Sequence, residues 1–351
     1  MLFIYVAYHY LKNMLIILLG LSGLFSGLDY LMNSGSLPSF NIKVLYAFSK
    51  WEEALNLLYP LAIIFGGIWT KISFIKKNTI GSFYALGLTR KELFRPFLFV
   101  GLFTYFIFLG LNFTSFAVAN ETAFLLKKNQ YGMSKTEDLF FKYNDGFVYI
   151  GTLLPEEYKL ENLIVFKMKN NKITRTLSAK EAWFNIHEWV ATDVLEKRKV
   201  LNDEGKFYIK IETIPALYTL KNYEPKILHS IYDGQKLTLL DSLSAKSLFE
   251  KQHFQTEALR ADIYTRIVTP LFSIALLMIL MFRFPFHARY MNIVTTTMKA
   301  LGGTLFIWGI LFALQGIGAS GTIVPELAII LPVVLLWGYG FYSLMKSDKR
   351  I

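Results

Sequence analysis

Six stretches of this chain are apolar, nearly free of charge and long enough to cross a bilayer, which takes roughly 17–25 residues. A polar segment of about 140 residues separates the first three from the last three. In hydrocarbon a segment must satisfy its own backbone N–H and C=O groups, so each stretch is expected to be a helix. The stretches are Met14–Leu31, whose one charge is Asp29; Ala54–Thr70, with Pro60; and Pro96–Asn120, between Arg95 and Glu121. After the polar segment come Ile263–Phe282, interrupted by Arg266 and Pro270, then Ala300–Ile317 and Leu327–Met345. Composition agrees: 54 % of residues are hydrophobic and only 18 % charged, a poor balance for a soluble domain. The expected architecture is a membrane α-helical bundle of six transmembrane helices with an inserted domain. Residues 1–120 would hold the first three spans with a loop at 71–95, residues 121–260 the insert, and residues 261–351 the last three spans. The first span starts too far in and runs too long to read as a cleaved signal peptide.

Charge orients the spans. The loop between spans two and three carries Lys71, Lys76, Lys77, Arg90, Lys91 and Arg95 against one acid, Glu92. Arg283, Arg289 and Lys299 lie between spans four and five, and Lys346, Lys349 and Arg350 follow span six against Asp348. The segments on the other side hold Lys43 and Lys50 against Glu52 and Glu53, then Glu326 alone. The positive-inside rule places both termini in the cytoplasm and the insert across the membrane. The insert is nearly neutral, with 21 bases and 20 acids between positions 120 and 262. The net charge of +11 therefore reflects topology and attraction to anionic membrane lipids. It is not a nucleic-acid footprint, and no nucleic acid is expected as a partner.

The insert reads as all-β. Phe147–Ile150 follows Asn144-Asp145-Gly146, a turn signal. Leu163–Met168, Ile173–Leu177, Ala182–Ile186, Trp189–Leu195 and Phe207–Ile211 follow, and the last alternates strictly. Short strands at regular spacing predict a sandwich, jellyroll or barrel. Leu237–Arg260 has leucines near helical spacing and reads as a helical return to the membrane.

Chemistry is sparse. There is no cysteine, which excludes disulfides, Cys-ligated metal and thiol catalysis. No Walker A loop, H-E-x-x-H or nucleophile elbow occurs. The five histidines are scattered, with no pair at metal-ligand spacing. No cofactor and no catalytic activity are expected of this chain.

The 71–95 loop is more informative. Ile80, Phe83, Tyr84, Gly87 and Leu88 recur at helical spacing and form one apolar stripe. Gly87 is placed to stop that helix and Thr89 to cap the next. Such a helix can lie on lipid or dock in a partner's groove.

Ala85-Leu86-Gly87-Leu88-Thr89-Arg90, followed by Arg95-Pro96, resembles the coupling-helix region of the LptF/LptG permeases (YjgP/YjgQ type), which export lipopolysaccharide from the inner membrane of Gram-negative bacteria. Glu257-Ala258-Leu259-Arg260 through Pro270 is similar to that family's entry into span four. Gly316–Glu326 and then Leu331-Pro332 resemble its last turn and helix. Asn144–Ile150 and Asp29 resemble the LptG member more than LptF. Two positions depart from the pattern: Thr79 stands where the family usually has a Glu, and Ser26 where LptG tends to have a Lys. A docking salt bridge and a lipid-phosphate contact are therefore not carried over.

The resemblance implies a periplasmic β-jellyroll and a permease subunit of an ABC-type exporter. It would pair with a second LptF/LptG permease over an LptB-type ATPase dimer, which holds the ATP. Lipopolysaccharide would pass upward to LptC and LptA. Ile80, Phe83, Tyr84, Gly87, Leu88 and Arg90 would couple to the ATPase. Arg266 and Asp29 would lie near lipid or a partner, with Asp262 at i−4 as the other partner open to Arg266. Phe147, Tyr149, Ile164, Phe166, Trp183 and Phe207 would line a conduit, or else belong to an ordinary β core. The alternative function is a mechanotransmission or assembly scaffold that works with an ATPase but carries no substrate through its own helices.

Overall fold

The computed structural model describes residues 2–128, 135–169, 172–201, 207–233, 236–251, 256–283 and 292–347. Arg289, Asp348, Lys349 and Arg350, used in the charge argument, lie outside the described residues. The chain divides into two compact units, Met1–Ala123 with Thr256–Ile351, and Phe124–Gln255.

In the first unit, α1 (Leu2–Asn33) and α2 (Phe40–Lys76) are far longer than the apolar stretches within them. The Ser39 side chain caps α2 by accepting from the Ile42 amide. Short α3 (Thr79–Ala85) leads to α4 (Arg90–Leu111). That helix ends nine residues before the Asn120 boundary read from hydropathy. A 3₁₀ turn, Ser115–Val118, and α5 (Ala119–Lys127) take up the remainder. Gly66 lets α1 and α2 touch: a Cβ there would lie 2.7 Å from the Met14 Cα, so a larger residue would force the helices apart. Val6, Tyr10 and Met14 pack with Tyr59, Ile63, Phe97, Leu277 and Met281 in one core drawn from α1, α2, α4 and the helix Leu271–Arg283.

The fourth span is broken. Helices α8 (Glu257–Ile267) and α9 (Leu271–Arg283) meet at 43°. Pro270 lacks an N–H and pushes the preceding residue away from helical geometry, which ends α8. The break is held by side chains: Tyr105 donates to the Ile267 carbonyl at 2.9 Å, and Gln315 to the Thr269 hydroxyl at 3.1 Å. Helix α10 (Ile293–Ala319) follows, then a π turn, Glu326–Ile330, that opens α11 (Leu331–Ser347). Five described helices are long and apolar enough to cross a membrane, or six when the bent pair is taken as one span.

The second unit is a six-stranded antiparallel sheet: β1 Thr136–Tyr143, β2 Gly146–Leu154, β3 Lys159–Lys169, β4 Lys172–Asn185, β5 Glu188–Leu201 and β6 Phe207–Thr219. The protein is thus a membrane helical bundle with an inserted all-β domain. In place of the crossing connections of a two-sheet roll, the described strands run up and down in sequence order. Asn144, at φ 50°, and Asp145 make the tight β1–β2 turn that Asn-Asp-Gly announced. Ile173–Leu177 and Ala182–Ile186, expected as two strands, belong largely to one, β4. Alternate residues Leu139, Phe141, Val148, Ile150, Leu163, Val165 and Leu177 form a buried face. Leu220, Tyr223 and Leu228, the last on α6 (Pro225–Asp233), cover it, and the fully buried Trp189 donates to the Tyr223 carbonyl at 2.7 Å. Helix α7 (Leu239–Lys251) adds Leu248 to the edge of this core.

Candidate coupling loop, ion-pair network and sheet faces

The 71–95 loop folds as its sequence indicates. Gly87 takes φ +80°, a conformation that suits glycine. Thr89 caps α4 in a reciprocal box: its hydroxyl accepts from the Glu92 amide, and the Glu92 carboxylate accepts from the Thr89 amide at 2.8 Å. The apolar stripe, however, turns inward. Ile80 is 2 % exposed and Phe83 7 %, both packed in the bundle core with Phe74 and Phe94, and Tyr84 and Leu88 are half-buried against it. Burial pushes the Tyr84 phenol up, against the pull of Arg90. The surface the loop presents is Gly81, Ser82, Ala85, Leu86 and Gly87, with Leu86 75 % exposed. Helical spacing identifies a stripe but cannot say whether it faces the chain's own bundle or a partner.

Lys71, counted as a loop base, is instead buried in α2. Its ammonium donates to the carbonyls of Leu280 and Met281 at 3.3 and 2.9 Å, in the last turns of α9. A cation there meets carbonyls that the helix leaves without intrahelical donors.

At the bundle end remote from this loop, Asp29 accepts from the Tyr46 hydroxyl at 2.5 Å and from Asn33, and lies 3.9 Å from Lys50. It ties α1 to α2 within the chain. Ser26 is buried, its hydroxyl reaching the Gly23 carbonyl at 3.4 Å. Arg266 is also buried and pairs with Asp262, Nη2 to Oδ2 at 2.9 Å. That i−4 carboxylate is one of the partners weighed for Arg266.

Two segments singled out by sequence meet here. Glu326, on the π turn, accepts from Arg260 Nη1 at 2.8 Å and from the Tyr264 hydroxyl at 2.9 Å, so the entries to spans four and six are joined by charge. No spacing rule could have paired residues 66 positions apart. Arg260→Ala would leave a partly buried carboxylate with one donor fewer. It should cost about 1–3 kcal/mol, measured as a lower unfolding midpoint in detergent, and Arg260→Lys should cost less.

The faces of α1 and α10 are largely unoccupied by the chain. A methyl added at Gly20, Gly23 or Gly27 would meet no described atom within 4 Å, nor would one at Gly302, Gly303 or Gly309.

On the sheet, Phe147, Tyr149, Ile164 and Phe166 lie on the face opposite the buried core. Tyr149 pairs with Ile164 and Phe147 with Phe166 in register, and Phe140 stacks on Phe147 at 5.3 Å. They are half-buried, and Trp183 is exposed near the other strand ends. Phe207 is 65 % exposed on the edge strand β6, beside Ile209 and Ile211, with Lys199 over its ring at 4.2 Å. The interior position expected of these residues is therefore taken by their neighbours Val148, Ile150, Leu163 and Val165. Alternation defines two faces without saying which is covered. Among the described residues no group of three or more His, Asp or Glu is placed to hold a metal ion.

A polytopic helical bundle with a β domain inserted at its midpoint is the architecture of a multi-pass membrane protein. The chain matches the family model of the lipopolysaccharide export system permease LptF/LptG over residues 4–346, and it belongs to that family. The match is to the family as a whole and does not divide LptF from LptG. No curated protein matches the chain.

Proposed function

We propose that this permease extracts lipopolysaccharide from the bacterial inner membrane and passes it to a periplasmic bridge, driven by a separate ATPase. The observation that carries this reading is the family match across nearly the whole chain. An LptB-type ATPase dimer is the proposed engine, docking on Gly81, Ser82, Ala85, Leu86 and Gly87. A second LptF/LptG permease is the proposed mate for the glycine-bearing faces of α1 and α10, where small residues allow close approach. The jellyrolls of LptC and LptA are proposed to receive the lipid. The edge of β6, with Phe207 and Ile209 exposed, suits the addition of a partner strand. Acyl chains would enter the buried face of the sheet once the Leu220–Leu228 segment swings aside, since apolar shelter stabilises them by about 25 cal/mol per Å².

Affinity purification of the tagged chain tests the assembly. An ATPase bearing a Walker A loop and a second permease should co-purify, and purification of the chain alone under mild detergent would overturn it. Orientation has its own test. A cysteine replacing Lys76 should be shielded from a membrane-impermeant thiol reagent in cells with a permeabilised outer membrane, while one replacing Ile186 should react. Labelling at position 76 would reverse the topology.

A further inference from the structure

Four basic side chains stand in one row across the inserted sheet. The register pairs Lys167 of β3 with Arg175 of β4, Arg175 with Arg198 of β5, and Arg198 with Lys210 of β6. Directly paired residues share a face, and strands lie about 4.8 Å apart, so the row extends about 14 Å. Like charges directly opposite one another destabilise a sheet.

Compensation within the protein is partial. Glu196 is 3 % exposed on the same face, one pair further along. It accepts from Arg175 Nε and, at 3.0 Å, from Arg198 Nη2. Glu212, paired with Glu196 in register, binds Lys210 at 2.5 Å. Among the described residues, two acids against four bases leave the row positive. The arginines hold the Glu196 carboxyl below its ordinary range, so it stays ionised and keeps both guanidinium groups in place. Beyond the bases, on the same face, come Val165 and Leu177, then Leu163 and Ala179, all buried. The face is therefore apolar along its length and cationic at one end.

We propose that Lys167, Arg175, Arg198 and Lys210 bind the phosphate groups of an amphiphile whose chains lie along the Val165–Leu177 side of that face. This rests on the lipid-export reading and adds to it the subsite for the anionic end. A guanidinium fork matches phosphate oxygens, and Arg175, bound to Glu196 through Nε, keeps its terminal nitrogens for an incoming ligand. The positive row gains by neutralisation what like-charge repulsion costs it.

The full chain with its co-purified ATPase and second permease in phosphatidylcholine nanodiscs, supplied with ATP and a photoreactive phosphatidic acid, provides the test, with adducts mapped on this chain's β3–β6 peptides. Unlabelled phosphatidic acid should suppress these adducts at a concentration about tenfold below that of the matching diacylglycerol. Lys167→Gln with Lys210→Gln, which leaves the buried Glu196 paired, should lower the yield about tenfold at equal amounts of folded protein. Arg175→Lys, keeping charge but losing the fork, should lower it less. Equal suppression by inorganic phosphate would make the row a simple anion site and overturn the headgroup assignment. Unchanged yield in the double variant would overturn the row while leaving lipid transfer standing. Absence of adducts anywhere on the sheet would count against both.

Discussion

Leu86→Asp should release the ATPase from the permease while leaving the bundle folded. Leu86 is 75 % exposed, so a carboxylate there costs the chain itself almost nothing. In a docked complex the same carboxylate would be buried without a partner, a cost of about 2 kcal/mol or more, or at least thirtyfold in association. Phe83→Asp is the informative contrast. Phe83 is buried against Phe74 and Tyr5, so the charge enters the bundle's own core and should deplete the protein altogether. Pull-down of the ATPase, read beside membrane abundance, distinguishes the two. Full ATPase association in Leu86→Asp would remove this loop from the interface.

The second large effect concerns the two faces of the sheet. A photo-crosslinking residue at Leu163 or Val165 should capture lipopolysaccharide when ATP is present and lose the adduct when ATP is withheld. The same residue at Phe147 or Phe166, one position away along the strand, should give none. The reason is geometric: one step turns a side chain to the other side of the sheet. The opposite outcome, adducts at Phe147 and Phe166 with none at Leu163, would move the conduit to the Phe140–Phe147–Phe166 surface. A scaffold that carries no lipid predicts none at any of these positions.

What the sequence made legible follows from length scales. The Asn144-Asp145-Gly146 turn and the Gly87–Thr89 break are local signals, each realised where it was read, while the bilayer-length apolar runs mark the helices but not their ends. Facing is not local. Ile80 and Phe83 have the periodicity of a docking helix, yet the rest of the bundle offers them a core, and by the same ambiguity Phe147 and Phe166 lie on the face opposite the buried one. Long-range pairs left no trace in the sequence. Asp29 with Tyr46, Lys71 with the end of α9, and Arg260 with Glu326 all join residues from different elements. Lys71 is instructive: in sequence it is one more base in a basic loop, and in the fold it is buried with its ammonium on helix carbonyls.

The most direct measurement is ATP-driven lipid release. Proteoliposomes carrying the chain with its co-purified ATPase and second permease would be loaded with lipopolysaccharide and supplied with a soluble jellyroll acceptor. Lipopolysaccharide should reach the acceptor only with hydrolysable ATP, and transfer should fail with Leu86→Asp. Steady ATP hydrolysis by the intact complex with no lipopolysaccharide leaving the bilayer would contradict the account.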